Sequence, residues 1–263
     1  MNSLKILLAG FFVLSALSFL NAQGTQLNLV LNGDFEDSLK CPNYNQEGIK
    51  CGKNWYSPDI ASPNYFFPCN DTLWFKTYST PKNMFGFLIP KSGKAYIGFG
   101  IAREIAGYDI WRESGLGALK NKLEGCKKYL FSAYINQSDS ANCTISDLDV
   151  IFTDYMPKLS DDFIFSSKQN VNYLSKVHFD LSSKNIDTLN WTLLTDTLEA
   201  VGGESYLIIT NTKLNSELQI VKFRPAYIEV FAYYYIDDVS LTELPDQELN
   251  IPNIITPNSD GLN

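Results

Sequence analysis

The stretch Tyr227-Ile-Glu-Val-Phe-Ala-Tyr-Tyr-Tyr-Ile236, running on through Asp237-Asp-Val-Ser-Leu241, is the most strand-like in the chain. Its β-branched and aromatic residues suit a pleated surface better than a helix. Upstream, other alternating or continuous apolar runs of strand length are separated by turn signals. They are Leu27–Leu31, which precedes the turn Asn32-Gly-Asp34, then Ala95–Phe99, Tyr129–Ile135, Leu148–Phe152, Phe163–Ser166, Trp191–Leu198, Tyr206–Thr210 and Leu218–Phe223. Only Glu104–Leu123 has helical length, and Gly107, Gly115 and Gly117 argue for an irregular helix there or none. This rhythm of strands and turns indicates an all-β chain, an antiparallel β-sandwich or jelly roll.

The chain opens with Lys5 followed by an apolar run from Ile6 to Leu14 that continues with small residues to Leu20. That run is too short to span a membrane and stay, and Ala22 fits the small-residue rule for a cleavage site. Residues 1–22 therefore read as a signal peptide, and the chain is expected outside the cell. No later stretch is apolar enough for a membrane span. The sandwich is expected over 23–244. Within it, 37–94 forms a long excursion with six prolines, three of the five cysteines and ten aromatics between Trp55 and Phe87, so it is expected to be cross-linked or functional. A polar linker follows from residue 245.

Net charge is −8, and the 21 Lys and Arg are spread along the chain, so there is no basic stripe for phosphates and nucleic acid is not an expected partner. Cysteines 41, 51, 69, 126 and 143 in an exported chain read as disulfide formers, with an odd thiol left over. Spacing leaves every pairing open except that Cys126 and Cys143 precede successive strands and so lie at opposite ends of a hairpin. Zinc is disfavoured, because no C-x(2 to 4)-C pair occurs and His178 is the single histidine.

Asn32-Gly-Asp-Phe-Glu36 and Tyr235-Ile-Asp-Asp-Val-Ser-Leu241 resemble the end motifs of galactose-binding-like jelly rolls found in carbohydrate-binding modules. Asn83-Met-Phe-Gly86, Pro90-Lys-Ser-Gly-Lys-Ala-Tyr-Ile-Gly98, Leu123-Glu-Gly-Cys-Lys-Lys-Tyr129, Trp55-Tyr-Ser-Pro58 and Ser62-Pro-Asn-Tyr-Phe66 are similar to the middle of that domain in Bacteroidota surface proteins. The tail Ile251–Asn263 resembles the opening of a gliding-motility-associated C-terminal domain, the type B sorting signal of type IX secretion. The resemblance implies a Cys41–Cys69 bridge and, for a full-length protein, export by the type IX machinery. The tail is expected to be the truncated start of that sorting domain.

The resemblance also implies a structural calcium ion held by Glu36 and Asp238 where first and last strands meet, with Asp34 and Asp237 as possible substitutes; hard oxygen ligands suit calcium. The competing reading is a turn aspartate and a solvated strand end. The excursion aromatics offer a stacking platform for sugar rings, with Trp55, Tyr56, Tyr65 and Trp74 as the ligand-binding candidates. The competing reading is that they pack as core. His178 has no serine elbow and no acid partner nearby in sequence. Asp161-Asp162 and Asp237-Asp238 are adjacent pairs whose members point to opposite faces of a strand, so neither supplies a glycosidase pair alone. Asp-Ser and Asp-Thr at Ser38, Thr72, Ser140, Thr188 and Thr197 resemble O-glycosylation sites of exported Bacteroidota proteins, and serve equally as ordinary turn chemistry.

Together these readings describe a secreted, non-catalytic binding or adhesion module of the cell surface, extracellular or attached to the outer membrane, with a polysaccharide or glycoprotein glycan as ligand. The alternatives are a structural spacer without a ligand and, third, a glycan hydrolase.

Overall fold

The computed structural model describes residues 27–42, 48–69, 75–105, 110, 112–157, 171–225 and 229–245. The leader 1–22, the tail from 246, Trp74, the pair Asp161-Asp162 and the expected strand Phe163–Ser166 lie outside the described residues. No helix among the described residues is long and apolar enough to cross a membrane.

Among the described residues fourteen strands run in chain order: β1 Trp55–Tyr56, β2 Asn64–Phe66, β3 Lys82–Asn83, β4 Gly86–Phe87, β5 Tyr96–Ile105, β6 Gly115–Ala118, β7 Lys128–Gln137, β8 Cys143–Ile145, β9 Asp147–Thr153, β10 Ser175–Asp180, β11 Thr192–Glu199, β12 Tyr206–Thr210, β13 Ile220–Lys222 and β14 Glu229–Glu243. They build an antiparallel β-sandwich, one sheet in the order β1-β6-β12-β9-β10 and the other β11-β7-β14-β5-β2. Two small ribbons, β13-β8 and β3-β4, lie outside the two sheets. From β5 to β7 the chain alternates between the sheets, which places sequence neighbours in opposite layers.

The central strand β14 is apolar on both faces. Val230, Ala232, Tyr234 and Ile236 join the main core between the sheets, with Ile97, Phe99, Phe131, Ala133, Ile135, Val150 and Phe152. Tyr233 and Tyr235 point the other way, into a second core with Phe66, Leu88 and Tyr96. Segment 75–94 therefore lies across the outer face of this sheet, supplying Tyr78, Phe85 and Leu88. Buried tyrosine hydroxyls need partners. Tyr235 donates to Asn83 Oδ1 at 2.9 Å, Asn83 Nδ2 donates to the Tyr96 hydroxyl at 3.0 Å, and that hydroxyl donates to Leu88 O at 3.2 Å.

Two sequence expectations change. The segment Leu27–Leu31 forms one isolated bridge, Val30 to Leu119, rather than a ladder strand. Its backbone groups are divided between the sheets: Leu29 N–H donates to Leu241 O on β14 at 2.8 Å, and Leu31 N–H to Ala118 O on β6 at 3.0 Å. It works as a clamp across the sandwich edge. In Glu104–Leu123, β5 runs to Ile105 and β6 occupies Gly115–Ala118, so no regular helix forms among its described residues. The Trp55 ring packs directly on this strand, since a Cβ at Gly117 would stand 3.0 Å from it. Strand β10 was not anticipated; its pattern alternates buried and exposed, but only Val177 and Phe179 carry the apolar signal.

The clamp meets β14 at a bulge between Asp237 and Ser240, where Asp238 takes a φ of 48°. Val239 N–H donates to Gly33 O at 2.8 Å, and Asn28 Nδ2 donates to Val239 O at 3.0 Å. A Cβ on Gly33 would lie 2.0 Å from Val239 O, which is backbone and cannot swing aside. Gly33→Ala is therefore expected to destabilise by about 2 kcal/mol or more. Chemical denaturation of the purified protein measures it.

Candidate functional site

The excursion aromatics chosen from sequence are largely core. Trp55 is buried, tilted against Phe35 at 4.8 Å, and its Nε1–H donates to Asn32 O at 2.9 Å. Tyr65 is buried and donates its hydroxyl to Phe35 O at 2.7 Å. Neither ring offers a free face, because the start of the excursion folds inward and closes that end of the sandwich. Tyr56 is half-buried against the apolar cluster Leu116, Ile151 and Ile208 on the outer face of the other sheet. Trp74 lies outside the described residues. A disulfide joins Cys41 to Cys69, with 5.9 Å between their Cα atoms. Cys51 and Cys143 are buried thiols and Cys126 is exposed.

Of the acidic candidates, three converge on one loop. Glu36 Oε1 accepts from Lys94 N–H at 2.6 Å and Ala95 N–H at 2.8 Å. Asp238 Oδ1 accepts from the Ser92 hydroxyl at 2.6 Å. Asp237 Oδ2 accepts from Lys91 N–H at 2.8 Å, and its Oδ1 from Asp238 N–H at 2.7 Å. Adjacent residues on a regular strand would face apart; the β14 bulge brings Asp237 and Asp238 to the same loop. Burial, and then the neighbouring Asp238 charge, push the Asp237 carboxyl up to about 8. Asp34 is exposed on its turn. Among the described residues no group of three or more His, Cys, Asp or Glu side chains is placed to hold a metal. Both Asp237 oxygens accept from backbone amides, as Glu36 Oε1 does.

A cleft of about 250 Å³ opens on the outer face of the β14 sheet, lined by Asn64, Met84, Phe85, Gly100, Arg103, Glu113, Ser140, Glu229, Phe231 and Tyr233. The period-two spacing of β14 points Phe231 and Tyr233 to this face. Phe85, from the turn between β3 and β4, stacks on Tyr233 with centroids 4.0 Å apart, and Phe231 lies 5.4 Å from Tyr233. Gly98 and Gly100 on β5 leave room for these rings; a Cβ would come within 2.7 Å of the Tyr233 hydroxyl at Gly98 and 3.3 Å of Phe231 at Gly100. At the rim Arg103 pairs with Glu229 and lies over the Phe231 ring. In the floor Tyr233 donates to Asn64 Oδ1 at 2.7 Å, and Glu113 Oε2 accepts from Gly100 N–H at 2.8 Å. Sequence reading missed this set. The shared face of Phe231 and Tyr233 was readable from their spacing, whereas Arg103, Glu113 and Glu229 meet only through tertiary pairing.

Two other features lie apart from the cleft. A shallower groove is bordered by Phe87, Ile89, Leu189 and Trp191, whose Nε1–H donates to Ile89 O at 2.9 Å. On β9 and β10, His178 does have acid partners, brought by strand pairing: Nδ1 is 2.8 Å from Asp149 Oδ1 and Nε2 is 3.4 Å from Asp147 Oδ1. Lys213 lies 2.6 Å from Asp147, and Thr212 donates to Asp149 through its amide and hydroxyl. Burial opposes ionisation of both aspartates, yet these donors and cations hold both carboxyls below the usual range.

No protein-family model matches the chain, and no curated protein matches it. Among solved structures, it is similar to the CBM22-1 xylan-binding domain of Paenibacillus barcinonensis Xyn10C, at 12% identity and a TM-score of 0.36, covering 75% of this chain and 89% of that one. It is similar to a CBM4 structure at 13% identity and 0.34, covering 81% and 99%. It is also similar to the K1 cleaved adhesin domain of Lys-gingipain from Porphyromonas gingivalis W83, at 11% and 0.35, covering 73% and 92%. Likenesses this distant carry no functional argument.

Two outcomes follow. Cys41→Ser opens the loop closed over a separation of 28 residues. It is expected to cost about 3–4 kcal/mol by the chain-entropy relation, read as a drop in the denaturant midpoint. Because the Asp147 and Asp149 carboxyls are depressed, they contribute stability above the unfolded carboxyl value, and it is lost as pH falls through their folded values. Wild-type melting temperature should thus fall below about pH 4, and Asp149→Asn should show a shallower acid limb.

Proposed function

We propose that this chain is a non-catalytic, surface-displayed glycan-binding module whose ligand lies in the Phe85–Phe231–Tyr233 cleft. The observation that carries the reading is a half-buried ring, Phe231, bordered by fixed polar groups where the layer over the β14 sheet stops. A pyranose ring has one face of C–H groups and a rim of hydroxyls. Aromatic carbon suits the first, and the Arg103–Glu229 pair and Ser140 at the border suit the second. Placement at the cell surface and export by the type IX route belong to the same proposal and rest on the leader and tail resemblances.

The test is binding of the purified chain to a panel of soluble polysaccharides. Phe231→Ala, which removes a half-buried ring at the mouth, is expected to weaken binding at least tenfold, about 1.4 kcal/mol, while the protein still melts cooperatively. Trp55→Ala, which empties a core position, is expected to cost about 3–5 kcal/mol of stability without a specific effect on ligand. The spacer reading is favoured by the burial of Trp55 and Tyr65, and it requires that no polysaccharide binds and that Phe231→Ala changes stability alone.

A structural calcium ion is proposed with this reading, held by Glu36 and Asp238 with backbone carbonyls completing its shell. It would tie the first segment to the last strand and take no part in any reaction. Excess chelator should lower the melting temperature, because an ion that binds the folded state alone stabilises it by mass action. Asp238→Ala should abolish that shift. An unchanged melting curve, with elemental analysis finding no bound calcium, refutes it.

A further inference from the structure

Glu113 stands at the foot of the cleft with hydrogen-bond donors directed at its carboxyl. It is buried, and it pinches Gly100 from two sides: Glu113 N–H donates to Gly100 O at 2.8 Å while Gly100 N–H donates to Glu113 Oε2 at 2.8 Å. This happens where β5 bulges, Ala232 pairing with Ala102 and Tyr233 with Gly100, so the carboxyl is fixed in place. The second backbone group facing it, at Ser62, is also a donor. The other groups around it come from three elements. Arg103 on β5 is committed to Glu229 on β14, Tyr233 on β14 donates its hydroxyl to Asn64, and Asp59 lies in the loop before β2.

We propose that Glu113 is a ligand-contacting hydrogen-bond donor at the floor of the cleft, its carboxyl O–H directed at an oxygen of an uncharged sugar. The inference rests on the glycan reading of the cleft and adds to it the donor and the charge class of the ligand. Burial, opposed only in part by the Gly100 N–H and Arg103, pushes the Glu113 carboxyl up to about 8. At neutral pH it therefore carries a proton. Among the described residues, the backbone groups facing this carboxyl, at Gly100 and Ser62, are both donors, so the acid proton is left for something in the cleft. With Glu113 neutral, Arg103 and Glu229 cancel and the cleft has no net charge. Ionised, Glu113 loses its O–H and makes the cleft anionic, which opposes acceptor oxygens and acidic sugars alike.

The experiment measures affinity of the full chain for a soluble xylan, glucan and mannan, and for polygalacturonate, from about pH 6 to about pH 10. Binding to a neutral polysaccharide should be level at the acid end and fall about tenfold for each pH unit above the Glu113 value, since only the protonated fraction is competent. Glu113→Gln keeps an N–H donor and should bind with no such fall. A ligand-free reading accompanies it: the Glu113 carboxyl carbon, followed by NMR, should titrate near 8. Because its folded value is raised, the stability it contributes is full below the unfolded carboxyl value and is lost as pH rises through the folded one. The wild type should thus lose melting temperature over that window and Glu113→Gln should not. Neutral-glycan binding that is flat with pH, an equal fall in Glu113→Gln, preferred binding of polygalacturonate, or a carboxyl that titrates in the ordinary range overturns this inference and leaves the glycan reading standing. No binding at any pH, with Glu113 titrating near 8, overturns the glycan reading and this inference with it.

Discussion

Strand β14 carries apolar side chains on both faces, and each face must find its own cover. Ala232, Tyr234 and Ile236 are covered by the opposite sheet, as in any sandwich. Tyr233 and Tyr235 have no second sheet above them, and leaving two such rings in water would forfeit several kcal/mol of burial, about 1.5–3 for each large side chain. The excursion supplies the missing layer. Its segment 75–94 lies over the sheet and its Asn83 satisfies the tyrosine hydroxyls beneath it. What looked in sequence like an aromatic-rich insertion is, over 75–94, the third layer of the fold.

That layer is incomplete, and the cleft lies where it stops. Phe85 covers Tyr233, while Phe231 remains half-buried and reachable under Arg103. The same β5 bulge that lets Ile101 and Ala102 both face the core frees Gly100, whose amide Glu113 then takes. A device that corrects strand register thus also sets a carboxyl into the cleft floor. Bulges next to sites commonly re-aim side chains in this way.

A second bulge, at Asp238, does comparable work at the opposite end of β14. It frees Val239 to bond Gly33 and turns Asp238 toward Ser92, so the first segment, the last strand and the loop 91–95 are joined at one place. Glu36 and Asp237 complete the junction through backbone amides. The carboxylates here do structural work whether or not an ion joins them.

The sequence alone determined the all-β class and the approximate positions of the longer strands, because period-two and continuous apolar patterns depend only on local order. It also held, through resemblance, the Cys41 and Cys69 pairing that the structure contains. It did not reveal which aromatics are buried. Trp55 and Phe231 look alike as isolated rings, and only the packing of β6 against the one and the open face beside the other separate them. Nor did it reveal that Arg103, Glu113 and Glu229 share a cleft or that Asp147 and Asp149 flank His178. Those meetings depend on strand order and register: Glu229 lies more than a hundred positions from Arg103 and Glu113, and His178 about thirty from its two aspartates. Only the folded sheets bring such distant residues together, because side-chain proximity in a sandwich is set by which strands become neighbours.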